Sequence, residues 1–201
     1  AVDPVRYITN HSTGKMGYAI AKIASRRGAE VTLVSGPTAE EEPAFVNVVN
    51  VCSAKEMFEA VKERAQEQDI IIKAAAVADY RPKHIRGSKM KKTEDGSDLT
   101  LELERTDDIL AYLGAHKKQG QFLCGFAMET EDLIANAKRK LEKKRLDMIA
   151  ANSLRVEGAG FGGNTNVVTV ITKEKEVSLG KMTKEETAAE LLTMIAEARK
   201  V

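Results

Sequence analysis

Short apolar runs alternate with helical patterns along most of this chain, and that alternation constrains its fold more than any other feature. The runs predict strands at Val31–Ser35, Ile70–Ala74, Phe122–Phe126 and Asp147–Ala151. Apolar spacing and capping residues predict helices at Tyr18–Gly28, Ser53–Gln68, Asp107–Leu113, Glu131–Arg145 and Lys184–Ala198. The alternation predicts an α/β fold with a mainly parallel, doubly wound sheet. Asn166–Thr172 and Glu176–Leu179 have the pattern of a hairpin, which predicts a small antiparallel extension.

The bulk properties exclude several classes of protein. At 201 residues the chain fits one domain, 1–201, and 43% hydrophobic residues suffice for a full core. A formal net charge of +1 gives no global attraction to nucleic acid or to a membrane. We find no signal peptide and no apolar run long enough to span a bilayer. Cys52 and Cys124 lie in or beside apolar segments, which predicts two buried thiols and a cytoplasmic location.

Two segments have the character of a ligand site. Asn10–Gly17, rich in glycine and hydroxyl groups, opens a helix, where free N–H groups and the helix dipole favour an anion; Lys15 adds a full charge. The strand Ile70–Ala74 runs into tiny residues and then reaches the carboxylate of Asp79. In open α/β sheets, ligands bind at this carboxyl edge.

Two basic segments each allow two interpretations. The polar stretch Arg81–Asp98 contains Lys89, Lys91 and Lys92, and is either a solvated loop or a flap that closes on phosphates. On the helix Glu131–Arg145, Lys144 falls inside the apolar stripe and Lys140 at its edge. These two lysines either snorkel or face a polyanion. Because a regular crossover helix ends away from the ligand edge, the second interpretation requires that this segment tilts, ends early or reaches the site in some other way. Leu99–Glu104 alternates apolar and charged residues and predicts a half-exposed strand.

Several common motifs are missing. The dinucleotide fingerprint GxGxxG is absent, and the phosphate loop GxxxxGK[ST] fails because Met16 follows Lys15. The histidines have no metal-ligand spacing, and no Ser/His/Asp grouping is evident.

Three segments, Arg6–Gly17, Ala74–Tyr80 and Gly125–Thr130, closely resemble the phosphopantothenate–cysteine ligase family. In bacteria this ligase forms the C-terminal domain of a bifunctional flavoprotein of coenzyme A biosynthesis. The resemblance implies a Rossmann-like homodimer that uses CTP. The carboxylate of 4′-phosphopantothenate attacks the α-phosphate of CTP and releases pyrophosphate; the amine of L-cysteine then displaces CMP from the acyl-cytidylate.

The resemblance also implies roles for individual residues. Asn10 and Lys89 are expected to be catalytic, Asn10 by processing the acyl-cytidylate and Lys89 from the flap. Ser12, Gly14 and Lys15 are candidates for the phosphate or pantothenate moiety of the substrate. The family motif Asn-Pro-Asp-Ile reads Thr-Asp-Asp-Ile here. The expected nucleotide-binding residues are Ala75, Asp79, Lys89, Thr106, Asp107, Asp108, Ile109, Phe126, Lys140 and Lys144.

The implied cofactor is Mg²⁺, with unknown protein ligands, and no flavin is expected in this domain. The family has a strand and a Gly-Gly-Thr-type loop before the Asp3–Arg6 segment, so we expect either that the sequence omits these residues or that this domain lacks its first strand. The flavin-dependent decarboxylase domain of the family is also expected to be absent from this sequence. No nucleic-acid or membrane partner is expected. Two rival functions remain, an NAD(P)-dependent Rossmann-type reductase and a non-catalytic nucleotide-binding module.

Overall fold

The computed structural model describes residues 1–91, 98–129, 131–153 and 162–199, except for the side chains of Glu129 and Ser153. The helices are α1 (Lys15–Arg26), α2 (Ala54–Arg64), α3 (Ile109–Ala115), α4 (Leu133–Lys143) and α5 (Lys184–Ala198). The strands are β1 (Val31–Ser35), β2 (Val46–Asn50), β3 (Ile70–Lys73), β4 (Tyr80–Pro82), β5 (Leu103–Arg105), β6 (Phe122–Glu129), β7 (Met148–Ser153), β8 (Thr165–Asn166), β9 (Val168–Ile171), β10 (Glu176–Ser178) and β11 (Met182–Thr183). A short 3₁₀ turn, Ala65–Glu67, follows α2.

A five-stranded sheet with the order β10-β9-β7-β6-β3 forms the centre. Strands β3, β6 and β7 are parallel, whereas β9 and β10 are antiparallel. Strands β1 and β2 form a separate parallel pair. One apolar cluster joins the central sheet to α2, α3 and α4, and a second joins it to α1 and α5. The prediction of a doubly wound, mainly parallel α/β sheet with an antiparallel extension is therefore confirmed.

The alternation of side chains along β6 explains why helices cover both faces of the central sheet. Leu123 and Ala127 belong to the first apolar cluster, whereas Phe122 and Cys124 belong to the second. Successive strand residues point to opposite faces, so this run of apolar residues demands helices on both sides. Burial raises the pKa of the Cys124 thiol, which keeps this thiol protonated.

Local capping fixes where the helices begin. Ser53 accepts the amide of Glu56 at 3.1 Å, and Thr183 forms a full capping box with Glu186. Helix α1 begins at Lys15, ahead of the predicted Tyr18, because Gly14 adopts a left-handed conformation (φ 79°) as its N-cap.

Several sequence predictions need correction. Of the predicted strand Leu99–Glu104 only the end is regular, in β5, which pairs with β4 at the start of the predicted loop Arg81–Asp98. Strand β2 was not predicted; it forms because β1 supplies a partner. Cys52 is exposed, so the prediction of two buried thiols is wrong for this residue. Lys92, within the predicted basic flap, lies outside the described residues.

Candidate functional site

The segment that follows β3 is held between two motifs predicted to belong to the site. Asn10 Nδ2 donates to the carbonyl of Val77 at 3.3 Å. On the other side, Thr106 Oγ1 donates to the carbonyl of Ala78 at 2.6 Å, and its amide donates to the carbonyl of Asp79 at 3.0 Å. The structure therefore brings the predicted residues Asn10, Asp79 and Thr106 together at the carboxyl end of β3. Ala75 packs against the first apolar cluster.

The segment 106–109 begins helix α3 at the same edge. Asp108 is its N-cap and accepts the amide of Ala111 at 3.0 Å, while Ile109 is buried in the core and Asp107 is exposed. Burial tends to raise the pKa of Asp108, but the hydrogen bonds from Lys144 and Ala111, with nearby positive charge, outweigh it and lower the pKa. Asp108 is thus ionised and partly neutralises the lysines beside it.

The two lysines of α4 reach this edge. Lys140 Nζ lies 3.3 Å from the carbonyl of Phe126, and Lys144 Nζ lies 2.8 Å from Asp108 Oδ2. Lys144 is the C-cap, and its side chain is only 19% exposed. The side chain of Phe126 packs into the second apolar cluster, on the other face of the sheet, so only its carbonyl joins this group.

Lys73 is a site residue that the sequence reasoning missed. It ends β3 opposite Gly125 of β6, and it follows Ile72 of the second cluster, so it faces the side of the sheet covered by α3 and α4. Burial, then the charges of Lys140 and Lys144, lower its pKa to about 8, against the opposing effect of Asp108 and Asp79. Within the described residues the side chain of Lys73 has no hydrogen bond or ion pair. A lysine at the end of an otherwise apolar strand is the signal that could have found it.

Lys73, Lys140 and Lys144, with Asp108, form what we call the lysine cluster. These three lysines lie close together in a half-buried position, with the carboxylates of Asp108 and Asp79 near Lys73. The charges of Lys140 and Lys144 disfavour the charged form of Lys73, so an anion that enters between the lysines is stabilised there. The arrangement is chemically suited to a polyphosphate.

The N-terminus of α1 forms a second polar group. Lys15 Nζ donates to the carbonyl of Gly162 at 3.2 Å and to Asn164 Oδ1 at 2.9 Å. A Cβ atom on Gly14 would lie 3.0 Å from Thr38 Oγ1, so the turn suits glycine. Ser12 is exposed beside it. The structure thus places the predicted residues Ser12, Gly14 and Lys15 together at this helix terminus.

Buried polar residues that the sequence reasoning did not identify lie beside this terminus. Lys184 Nζ donates to Asn166 Oδ1 at 2.9 Å, and Asn166 Nδ2 lies 3.1 Å from the sulfur of Met16. Asn152 Oδ1 is buried without a hydrogen-bond partner in the described part of the chain. Burial, then the charge of Lys15, lower the pKa of Lys184.

Lys89 is not in contact with these groups. Its side chain is exposed, and it makes no hydrogen bond or ion pair with the residues that the structure describes. Its neighbour Met90 is buried and tied to the N-terminal turn. The catalytic role of Lys89 therefore stays a prediction.

Neither of two surface cavities coincides with the lysine cluster. A cavity of about 450 Å³ lies at the opposite end of β6 and β7, beside Lys117, Asp147 and Arg199. A cavity of about 310 Å³ lies beside Thr38 and Glu40, close to the start of α1. In the described ranges, no group of three or more histidine, cysteine, aspartate or glutamate side chains is arranged to hold a metal ion. None of the described helices has the length and apolar character of a membrane span.

Comparison with known proteins gives a consistent result. The family model for the DNA/pantothenate metabolism flavoprotein C-terminal domain matches residues 1–198. The coenzyme A biosynthesis bifunctional protein CoaBC of Vibrio vulnificus (strain YJ016) is 48% identical over 195 residues, which cover 97% of this chain and 49% of that protein. CoaBC of Bacillus subtilis (strain 168) is 48% identical over 202 residues, with 100% and 49% covered.

A crystal structure of the C-terminal domain of a CoaBC protein is also similar. It superposes with a TM-score of 0.81 at 45% identity, and the match covers 96% of this chain and 87% of that one. The chain spans about half the length of the curated relatives it matches.

Proposed function

The chain belongs to the family of DNA/pantothenate metabolism flavoprotein C-terminal domains, and from this premise we propose that it is the ligase of coenzyme A biosynthesis that joins 4′-phosphopantothenate to L-cysteine. The similarity to bifunctional proteins of coenzyme A biosynthesis and the sequence motifs support this assignment. The observation that carries it is the lysine cluster at the carboxyl edge of β3, because activation of a carboxylate by a nucleoside triphosphate requires a polyanion site there.

We propose CTP as the activating nucleotide. The carboxylate of 4′-phosphopantothenate attacks the α-phosphorus, and the bond to the bridging oxygen of the β-phosphate breaks, which releases pyrophosphate. The acyl-cytidylate and pyrophosphate together carry the negative charge that Lys73, Lys140 and Lys144 are proposed to stabilise. Asp79, Thr106, Asp107 and Asp108, at the same edge, are proposed to contact the nucleotide.

Asn10 is proposed to act in the second half-reaction. The cysteine amine attacks the acyl carbon, CMP leaves, and the amine proton is lost to solvent. An uncharged amide that is already held at the end of β3 through Val77 can bind the acyl group without repelling the phosphate. Because the acyl-phosphate is already activated, we attribute this step to positioning.

The start of α1 is proposed to bind the 4′-phosphate. Gly14 leaves the first-turn amides free to face an anion, Ser12 adds a hydroxyl, and Lys15 adds a charge that is already positioned by Asn164. In this proposal the 4′-phosphate and the triphosphate bind to different cations, the first to Lys15 and the second to the lysine cluster.

Mg²⁺ is proposed to arrive with the nucleotide. Magnesium in nucleotide sites is held by phosphates and one or two carboxylates, and the exposed Asp79 supplies such a group. The ion would neutralise phosphate charge. No flavin is required by this chemistry.

We also propose a homodimer and a fused partner domain. The ribbon β4–β5 and its flanks expose Tyr80, Ile85, Leu99, Leu101 and Leu103. Exposed apolar groups of this kind are typical of an interface, and we assign a second copy of the chain as its occupant. The bifunctional relatives support natural fusion to a decarboxylase domain. Light scattering of the purified chain tests the dimer, and a monomer at micromolar concentration would contradict it.

Pyrophosphate release measured with each of the four nucleoside triphosphates tests the proposed function. We expect release only when 4′-phosphopantothenate is present, fastest with CTP, and amide product only after cysteine is added. Binding of CTP without pyrophosphate release would instead identify a nucleotide-binding module. A change of NADPH fluorescence on titration, with no pyrophosphate, would identify the rival reductase.

A further inference from the structure

The N-terminal turn contains a buried carboxylate with more hydrogen bonds than the turn needs. Asp3 is 2% exposed. Its Oδ1 accepts the amides of Val5 and Arg6, both at 2.8 Å, and these two bonds close the turn. Its Oδ2 accepts Arg6 Nε at 3.0 Å and Nη2 at 2.5 Å. An asparagine would close the same turn through Oδ1, so the requirement for a carboxylate lies in Oδ2.

Oδ2 also connects the turn to the segment that carries Lys89. It accepts the amide of Met90 at 3.1 Å, and Arg6 Nη2 donates to the carbonyl of Met90 at 2.9 Å. Both backbone groups of Met90 are thus held by one ion pair. Met90 is 9% exposed, and the amide of Arg86 donates to the carbonyl of Val2 at 3.1 Å. Residues 86–90 therefore dock on residues 2–6.

We propose that Asp3, together with Arg6, is a positioning residue for Lys89. The inference rests on the proposed function of Lys89 in nucleotide activation. With Met90 fixed on its C-terminal side, Lys89 keeps the freedom of its own side chain and loses most of the freedom of its backbone. Less conformational entropy remains to be lost when its ammonium group meets the phosphates.

The connection is permanent at physiological pH. The hydrogen bond from Arg6 and those from three backbone amides outweigh burial and hold the pKa of Asp3 well below its usual range. The carboxylate is therefore ionised throughout the pH range of an enzyme assay, and its bonds to Met90 do not act as a pH switch.

The substitution Asp3→Asn separates positioning from folding. Asparagine keeps Oδ1 for the turn but places an amide donor where Met90 and Arg6 need an acceptor. Asp69→Asn is the matched control, because Asp69 forms a weak ion pair. Its side chain is 87% exposed, and its carboxylate lies 3.6 Å from Arg199. Arg6→Lys serves as a second variant if Asp3→Asn lowers the melting temperature below the assay temperature, since lysine keeps the charge and loses the forked geometry.

Two measurements test the proposal. The first is the rate of tryptic cleavage after Lys89 and Lys91, relative to cleavage elsewhere. We expect Asp3→Asn to increase it by about tenfold, because a charge-assisted hydrogen bond no longer closes the segment. Asp69→Asn should leave it unchanged. Unchanged cleavage in Asp3→Asn would overturn the proposal whatever Lys89 does in catalysis.

The second measurement is kcat for pyrophosphate release in a double-mutant cycle with Lys89→Gln. We expect Asp3→Asn to lower kcat by about tenfold in the natural background, because misplaced catalytic groups lose rate. It should have no further effect when Lys89 is already glutamine. Equal losses in both backgrounds would show that Asp3 acts other than through Lys89. If Lys89→Gln alone keeps the natural rate, the proposed function of Lys89 fails, and the cleavage result still decides whether Asp3 fixes this segment.

Discussion

Substitution of Gly114 by alanine tests how closely helix α3 packs against the end of α4. A Cβ atom at Gly114 would lie 1.9 Å from the carbonyl oxygen of Lys144. Helix propensity favours alanine by about 1 kcal/mol, whereas overpacking against backbone costs about 1–3 kcal/mol or more. Backbone cannot rotate away as a side chain can, so we expect the overpacking cost to lie in the upper part of its range. The gain in helix propensity offsets part of this cost. The free energy of unfolding should fall by about 1–2 kcal/mol.

Thermal and urea unfolding measure this effect, with Gly17→Ala as the control. Gly17 lies in α1, and a Cβ atom there would meet nothing within 4 Å. The control should gain about 0.5–1 kcal/mol from propensity alone. For a chain of this size each kcal/mol corresponds to about 2–4 °C in melting temperature, so the two variants should shift in opposite directions. If Gly114→Ala is as stable as the natural chain, the close packing that fixes Lys144 is refuted.

Four further outcomes are expected from the proposed site. Asn10→Asp should still release pyrophosphate but accumulate the acyl-cytidylate, which mass spectrometry detects; normal product formation would remove the role of Asn10. Lys89→Gln should lower cytidylate formation by about 10²-fold with an unchanged melting temperature, and a loss of folding would make Lys89 structural. Lys144→Ala should raise KM for CTP, and the affinity of the natural chain for CTP should weaken as the salt concentration rises. If Lys144→Ala leaves the CTP kinetics unchanged, Lys144 snorkels toward solvent and does not bind the nucleotide. Because Lys73 is charged below its pKa of about 8 and neutral above it, kcat/KM for CTP should fall as pH rises through 8. In Lys73→Met, kcat/KM for CTP should no longer show this fall.

Local signals predicted some elements well. The predicted helix Lys184–Ala198 coincides with α5, because a capping box fixes its start and an apolar stripe fixes its buried face. Strand β2 escaped prediction because its sequence, Val-Asn-Val-Val-Asn, has no strong pattern without its partner β1. Elements with a clear periodicity are predictable from local sequence, whereas a strand such as β2 and all strand pairing depend on contacts that are distant in sequence.

The residues of the candidate site also fall into two groups, those predictable from local sequence and those that depend on distant contacts. The carboxyl edge of β3 and the neighbouring Asp79 were predictable, because a buried strand followed by tiny residues is a local pattern. The importance of Lys73 was not predictable from the sequence, because its lowered pKa depends on how α4 packs over it. Asp3 is a similar case, since the partner that gives it a role, Met90, lies 87 residues away.

The reach of α4 toward the ligand edge follows from the unequal lengths of β3 and β6. Lys73, the last residue of β3, pairs with Gly125, but β6 continues through Glu129, four residues further. At about 3.3 Å per strand residue this overhang is about 13 Å. Helix α4 returns antiparallel to β6 from Leu133, and at about 1.5 Å per helical residue it covers that distance in about nine residues. Helix α4 is therefore level with the C-terminal end of β3 near residue 142, between Lys140 and Lys144. The C-terminal half of α4 therefore reaches the ligand edge, where Lys140 Nζ lies 3.3 Å from the carbonyl of Phe126, because the edge formed by β3 is set back from the edge formed by β6.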